Sequence, residues 1–366
     1  MNNDRPIILV VGARPNFMKI APLYRELESR NISRLLLHTG QHYDDNMSKV
    51  FFDDLGLPEP DIYLGIGSGT HATQTAKVMI EFEKICNEFN PSIVVVVGDV
   101  NSTVACSIVC AKLLIKCAHV ESGLRSNDRE MPEEINRIIT DSISDILLTP
   151  SSDGNVNLEK EGISKDRIYL VGNIMIDSLL HNVKKSKSSK ILEKLDLKKG
   201  QYSVLTLHRP SNVDDIDVLS EIIKSLKEIT RSMVVVFPSH PRTTKQLKKF
   251  KMFETLSKMQ NLHLIEPCGY IDFMSLVSNS NFVMTDSGGL QEETTALGIP
   301  CLTIRENTER PITIDEGTNT LVGSDSKKII SSVNEIMNNG GKKGKIPELW
   351  DGNTAQRIAN ILEQFL

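Results

Sequence analysis

Short unbroken apolar runs recur along the chain, and longer stretches with helical spacing separate them. In the first half the runs lie at residues 7–11, 35–37, 93–97, 117–120, 146–148 and 168–171. In the second half they lie at 204–207, 233–237, 262–265, 282–284 and 301–304. An apolar run with no polar alternation reads as a strand buried on both faces, and helices between such strands build a parallel sheet. Two of the intervening helices are placed by their starts. Residues 103–115 follow Asn101 and Ser102, either of which supplies a cap, and residues 218–229 follow the acidic segment Asp214-Asp215-Ile216-Asp217. The pattern predicts an α/β protein with two Rossmann-like parallel-sheet lobes of similar size facing a central cleft. The boundary falls near Gly172-Asn173, giving lobes at 1–173 and 174–352, and a last helix is expected over residues 353–365.

Length agrees with this division, since 366 residues exceed one ordinary domain. Net charge is −5 and no basic block suggests a nucleic-acid groove; the nearest, residues 184–190, is short and broken by serines. Any phosphate is therefore expected to be held by a local site. The six cysteines lack metal-site spacing, and Cys106 and Cys110, four apart on an expected helix, read as buried thiols. No metal is expected. Residues 1–5 are polar, the first apolar run is too short for a secretory leader, and no stretch approaches the roughly 18 apolar residues of a membrane span. The expected location is the cytoplasm, away from any membrane.

Candidate chemistry collects at the carboxyl ends of the predicted strands, where open α/β sheets bind ligands. The first run is followed by Gly12-Ala13-Arg14-Pro15-Asn16-Phe17-Met18-Lys19, the second by His38-Thr39-Gly40-Gln41-His42. Later runs lead into Gly98-Asp99 and Glu121-Ser122-Gly123-Leu124-Arg125. In the second half the corresponding residues are His208-Arg209, Ser239-His240, Asp286-Ser287-Gly288-Gly289 and Arg305. Each piece has a plainer reading. Gly12 serves a strand-to-helix turn, Asp99 a helix start, and Glu121 a partner for Arg125. Glu133-Glu134 after Pro132 suits a first helical turn, and lone histidines such as His208 and His240 are often structural. Their joint placement at one edge of both sheets is what favours a site. No strand is followed by G-x-G-x-x-G, so a bound dinucleotide and hydride transfer are not expected.

The segments GARPNFMKIAPL (12–23), TGQHYD (39–44), GDVNST (98–103), HVESGLRS (119–126), MPEEINR (131–137), LHRPSNVD (207–214), PSHPR (238–242), TDSGGLQEE (285–293), TERP (308–311) and DGNTAQRI (351–358) span nearly the whole chain. In this order they resemble the non-hydrolysing UDP-N-acetylglucosamine 2-epimerase family. The resemblance implies the two-lobed architecture of GT-B-like glycosyltransferases, with the last helix packing back on the first lobe. It also implies inversion at C2 of a UDP-2-acetamido sugar without any cofactor, interconverting UDP-GlcNAc and UDP-ManNAc for cell-surface polysaccharide precursors, and a homodimer. Carried over, Arg14 and Lys19 would lie near the diphosphate and sugar. Asp99, Glu121 and Glu133 would move the C2 proton, and His208 would assist departure and return of UDP, with His240 near it. Ser287, Gly288 and Gly289 would hold phosphate, Glu293 the ribose hydroxyls, and Arg310 would complete the pocket.

Relatives regulated by a second substrate molecule resemble QHRQ where this chain has Gln41-His42-Tyr43-Asp44, and carry an arginine near Gly67-Ser68-Gly69. The QHYD form resembles relatives acting on UDP-2,3-diacetamido uronic acids, so a 2-epimerase of such a sugar is an alternative. A GT-B glycosyltransferase, a hydrolysing epimerase and a nucleotide-sugar binding protein without turnover are others.

Overall fold

Thirteen strands form in the described chain. In the first half they are β1 Ile7–Val11, β2 Arg34–His38, β3 Ile62–Tyr63, β4 Ile93–Val97, β5 Lys116–Val120, β6 Ile146–Thr149 and β7 Ile168–Leu170. In the second half they are β8 Tyr202–Thr206, β9 Val234–Pro238, β10 Leu262–Ile265, β11 Phe282–Thr285, β12 Cys301–Thr303 and β13 Asn319–Leu321. The computed structural model describes residues 5–40 and 55–366, apart from the side chain of Arg14. β1 to β7 pair in parallel in the order β3-β2-β1-β4-β5-β6-β7, and β8 to β13 in the order β10-β9-β8-β11-β12-β13. Both are doubly wound, and the strand order reverses beside β1 in one sheet and beside β8 in the other. The apolar runs become strands because both faces are covered: every residue of β1 and β4 is buried.

Two edge strands, β3 and β13, carry no apolar run. They are two and three residues long, and pair on one side only, so little burial marks them in sequence.

The chain divides into one unit of Met1–Ser178 with Glu348–Leu366 and a second of Leu179–Pro347. This division and the boundary expected at Gly172-Asn173 fall on either side of the start of the helix Ile174–Ser186. In the first unit the helix Thr354–Leu362 packs against the helix Arg14–Ser29. Its first turn is capped from a distance: Asp177 accepts the N–H groups of Thr354 at 3.2 Å and Ala355 at 2.8 Å. Buried Ala355, Ile358, Ala359 and Leu362 form its inner face.

In the second unit the helix Ile216–Ile229 starts where the acidic segment places it, because Asp215 accepts the N–H groups of Asp217 and Val218. Leu219, Ile222, Ile223, Leu226 and Ile229 recur at helical spacing and pack with Leu205, Val235, Phe237 and Phe282 of the sheet. Each such side chain contributes about 1.5–3 kcal/mol on burial. In the first unit the expected cap differs. The helix Asn101–Leu113 is preceded by Val100, and the Asn101 amide donates instead to Gln74 at 2.8 Å. A buried amide finds its partner in a neighbouring helix rather than in its own first turn. Cys106 and Cys110 are buried on this helix. Among the described residues no helix is long and apolar enough to cross a membrane, and no group of three or more His, Cys, Asp or Glu is arranged to hold a metal ion.

Candidate active site

In the first unit the site begins at the strand-order reversal. After β1 the chain turns at Gly12-Ala13 into the helix Arg14–Ser29. Asn16 locks that turn, accepting the N–H groups of Gly12 at 3.1 Å and Ala13 at 2.9 Å, and donates to the Val97 carbonyl at the end of β4 at 3.1 Å. Arg14 opens the helix, and its side chain lies outside the described residues. One turn further on, Lys19 forms a buried ion pair with Glu121, just past the end of β5. Glu121 is 4% exposed. Its backbone is left-handed, with φ of 69°, an unusual state for a glutamate that costs about 1–3 kcal/mol. Its second carboxylate oxygen, Oε1, is buried with no hydrogen-bond partner among the described residues. A buried carboxylate in strained backbone, with one oxygen on an ammonium and one unspent, is a marker of function. Gly98 makes room for the pair: its φ is +70°, and a Cβ there would stand 3.2 Å from Lys19 Nζ and 3.4 Å from Asn16 Nδ2.

Asp99 follows directly and is half-buried. Its carboxylate meets Arg137 at 2.5 Å, and its carbonyl accepts from Asn136 at 2.8 Å. It is thus held by the helix Pro132–Ile143 and does not start one. Arg137 also pairs with Glu134 at 2.5 Å, which accepts the N–H groups of Ser126 and Asn127. Burial would raise the Glu134 pKa; the Ser126 N–H and Arg137 outweigh it and hold the group below the ordinary glutamate range. Glu133, its neighbour, is exposed in the first helical turn. The plain expectation that Glu121 pairs with Arg125 is corrected. Arg125 binds Asp141 at 2.7 Å and Glu161 at 2.6 Å, and Glu121 faces Lys19. The segment Gln41-His42-Tyr43-Asp44 lies outside the described residues. In the neighbouring loop, the Gly67 carbonyl accepts from Gln74.

The second unit gathers a different chemistry. Asp286, fully buried after β11, accepts the N–H groups of His208 at 3.0 Å and Arg209 at 2.9 Å and the Asn212 amide at 3.2 Å. Its other oxygen faces His208 Nδ1 at 2.9 Å. Burial alone would raise Asp286, but the His208 ring and these N–H groups hold it below the ordinary aspartate range. His208 is therefore oriented from behind while 42% of its side chain stays exposed. The His240 ring lies 5.9 Å from it, centre to centre, and His240 itself accepts the Arg242 N–H at the head of the helix Pro241–Lys249.

Ser287 precedes the helix Gly288–Leu297, whose first N–H groups have no partner within the helix. Above that end sit three guanidiniums. Glu309 takes Arg310 at 2.6 Å, Arg305 at 2.9 Å and Arg209 at 3.5 Å, and Arg310 also meets Glu292 at 2.8 Å. Three guanidiniums thus stand beside a helix N-terminus, an arrangement suited to an anion. Burial would raise Glu309, yet the arginines hold it far below the ordinary glutamate range. Gly288 is required by this packing, because a Cβ would stand 2.7 Å from both Arg310 Nη1 and Glu309 Oε1. At Gly289 a Cβ would meet nothing within 4 Å. Further along, buried Glu293 accepts from the Tyr270 hydroxyl at 2.9 Å, and burial pushes its pKa up to about 7 despite that bond.

Asp286, Arg209 and Arg305 belong to the strand-end segments of the sequence but carry no assigned role there, and Glu309, Arg137 and Asp141 carry none either. Asp286, Arg209 and Arg305 stand at strand ends, where a signal existed. Arg137, Asp141 and Glu309 sit inside or beside helices, and only the packing identifies them.

The family model for UDP-N-acetylglucosamine 2-epimerase matches residues 25–363. The chain is 44% identical over 359 residues to the UDP-N-acetylglucosamine 2-epimerase of Methanocaldococcus jannaschii, covering 97% of this chain and 98% of that protein. It is 39% identical to the UDP-2,3-diacetamido-2,3-dideoxy-D-glucuronate 2-epimerase of Pseudomonas aeruginosa, covering 97% and 99%. The crystal structure of the Methanocaldococcus jannaschii enzyme in complex with UDP-GlcNAc and UDP superposes with a TM-score of 0.90 at 43% identity, covering 98% of this chain and 99% of that one. The chain belongs to the UDP-N-acetylglucosamine 2-epimerase family, and is an isomerase.

Proposed function

We propose that this protein is a non-hydrolysing 2-epimerase that interconverts UDP-N-acetylglucosamine and UDP-N-acetylmannosamine. The C2 proton of the sugar is not next to a carbonyl, so direct deprotonation is prohibitively slow. A base removes it as the C1–O bond breaks, and the bonding pair leaves on the β-phosphate of UDP. The glycal that remains has a C1–C2 double bond. UDP then adds back at C1 while a proton arrives on the other face of C2.

What most supports this reading is the buried Lys19–Glu121 pair with its one unspent carboxylate oxygen. A glycosyltransferase has no proton to move at C2 and no use for such a group. Glu121, Asp99 and Glu133 are the proton-moving carboxylates, with Lys19 paired to Glu121 near the sugar. Arg14 lies near the diphosphate. In the second unit His208, held by Asp286, gives and takes the proton of the departing phosphate. His240 stands beside it. Ser287, Gly288, Gly289 and Arg310 bind the diphosphate where charge develops, and Glu293 accepts from the ribose. The product would feed the assembly of cell-surface polysaccharide.

The deciding experiment is NMR in deuterated water with a panel of UDP-2-acetamido sugars. Deuterium should enter at C2 of UDP-N-acetylglucosamine as the manno epimer appears, with no free sugar released. No incorporation with any member sinks the epimerase reading, and free N-acetylmannosamine with UDP would indicate a hydrolase. Incorporation only with UDP-2,3-diacetamido-glucuronate would move the activity to that sugar, which the relative at 39% identity makes the natural second arm. Ser287→Ala should leave the fold intact and weaken UDP binding by about 1.5–3 kcal/mol, the worth of one hydrogen bond to a charged group. Calorimetric titration with UDP measures it, and an unchanged Kd removes Ser287 from the phosphate site.

A further inference from the structure

His119 is fully buried on β5, two residues before Glu121. Its Nδ1 lies 2.6 Å from Asp141 Oδ1 and its Nε2 lies 2.9 Å from the carbonyl oxygen of Gly98. Both neighbours are acceptors. A neutral imidazole has only one N–H, so either tautomer would set a nitrogen lone pair against an oxygen lone pair at hydrogen-bond distance. A proton on Asp141 Oδ1 would also fit the geometry, but the other oxygen takes the Arg125 guanidinium at 2.7 Å and the Gly123 N–H at 3.0 Å, which favour the carboxylate and so place the proton on the ring. Arg125 is in turn held by Glu161. The arrangement balances as imidazolium, carboxylate, guanidinium, carboxylate.

The two ends of this chain of charges are informative. Gly98 carries the turn that presents Asp99, and Gly123 closes the turn that begins at Glu121. We propose that His119 is a positioning residue, held as an imidazolium, that ties these two turns together and so sets the spacing of the Asp99 and Glu121 carboxylates. Its catalytic consequence rests on the epimerase reading above. The groups that face the ring are Asp141 from the helix Pro132–Ile143, with Arg125 and Glu161 behind it, and the Cys117 thiol on the same strand. Burial by itself would strip the ring of its proton; the adjacent carboxylate outweighs burial and raises the pKa above the ordinary histidine value.

Three measurements test this. In protein labelled with 15N-histidine, both ring nitrogens of His119 should carry protons in the neutral range, seen as paired imidazolium shifts assigned by their loss in His119→Gln. A neutral tautomer there overturns the proposal, whether or not the protein turns over any sugar. Separately, His119→Gln should lower kcat by on the order of 10²-fold, the size expected for slight misplacement of reacting groups. The Kd for UDP should stay within about twofold, because His119 lies in the other unit from Ser287 and Arg310. A kcat within threefold of wild type, or equal losses in kcat and UDP affinity, rejects the positioning role. If His119→Gln does not fold, Asp141→Asn is read in the same way. The melting-temperature advantage of wild type over His119→Gln should also be full below the ordinary histidine pKa and shrink as pH rises through the raised one, since the folded state binds the extra proton. If wild type shows no C2 exchange at all, the epimerase reading fails while the imidazolium result stands alone.

Discussion

Glu121→Gln is expected to lower deuterium incorporation at C2 by about 10²–10⁴-fold, the usual contribution of a positioned acid or base. Glutamine keeps the size of the side chain and can still accept a hydrogen bond from Lys19, but it takes up no proton. The substitution also leaves the Lys19 ammonium buried without its counter-charge, since side-chain exposures are 9% and 3% for the pair. Breaking a buried pair from one side costs about 3–5 kcal/mol. Loss of fold would also abolish activity, so the double variant Lys19→Met with Glu121→Gln is the control. It should recover most of the melting temperature and none of the exchange. A single variant that exchanges at a near-wild-type rate removes Glu121 from the proton-transfer role.

Asp286→Asn is expected to reduce turnover on the order of 10²-fold or more while UDP still binds. The Asp286 carboxylate is fully buried and serves four donors: two backbone N–H groups, the Asn212 amide and the His208 ring. Asparagine offers one oxygen, so its NH₂ is forced against at least one of these donors in either orientation. The His208 ring then loses the partner that selects its tautomer and fixes its orientation, the part a buried carboxylate plays behind a catalytic histidine. Steady-state kinetics in both directions with calorimetric UDP titration measure the split. Unchanged kcat would mean that Asp286 serves only the fold. Stability carries its own sign. Asp286 lies below the ordinary aspartate range when folded, so its contribution is complete above that range and drains away as pH falls through the lowered value.

The residues differ in how far their neighbourhoods can be read locally. Asp99, Glu121, His208 and Ser287 each end an apolar run, so their address follows from the run alone. The partner of each does not. Glu121 lies 102 residues from Lys19, and the nearer cation, Arg125, belongs to Asp141 instead. Glu309 has Arg310 beside it and Arg305 four residues before it, and only the folded chain brings the third arginine, Arg209, onto it. Val100 in place of Asn101 as the helix cap is the same lesson on a smaller scale, because a buried amide responds to the neighbouring helix.

By itself the sequence determined two parallel sheets and the edge at which their polar residues collect. It could do so because burial on both faces leaves unbroken apolar runs, and strands in such sheets end in turns that admit only certain residues. Tertiary structure alone decided which of those residues touch. Strand order reverses beside β1 and beside β8, and local periodicity carries no record of that order. The Lys19–Glu121 pair, the imidazolium bridge from Gly98 to Asp141 and the reach of Arg209 to Glu309 all depend on it. Their energies come from desolvated charges meeting across the fold, which no local window of sequence registers.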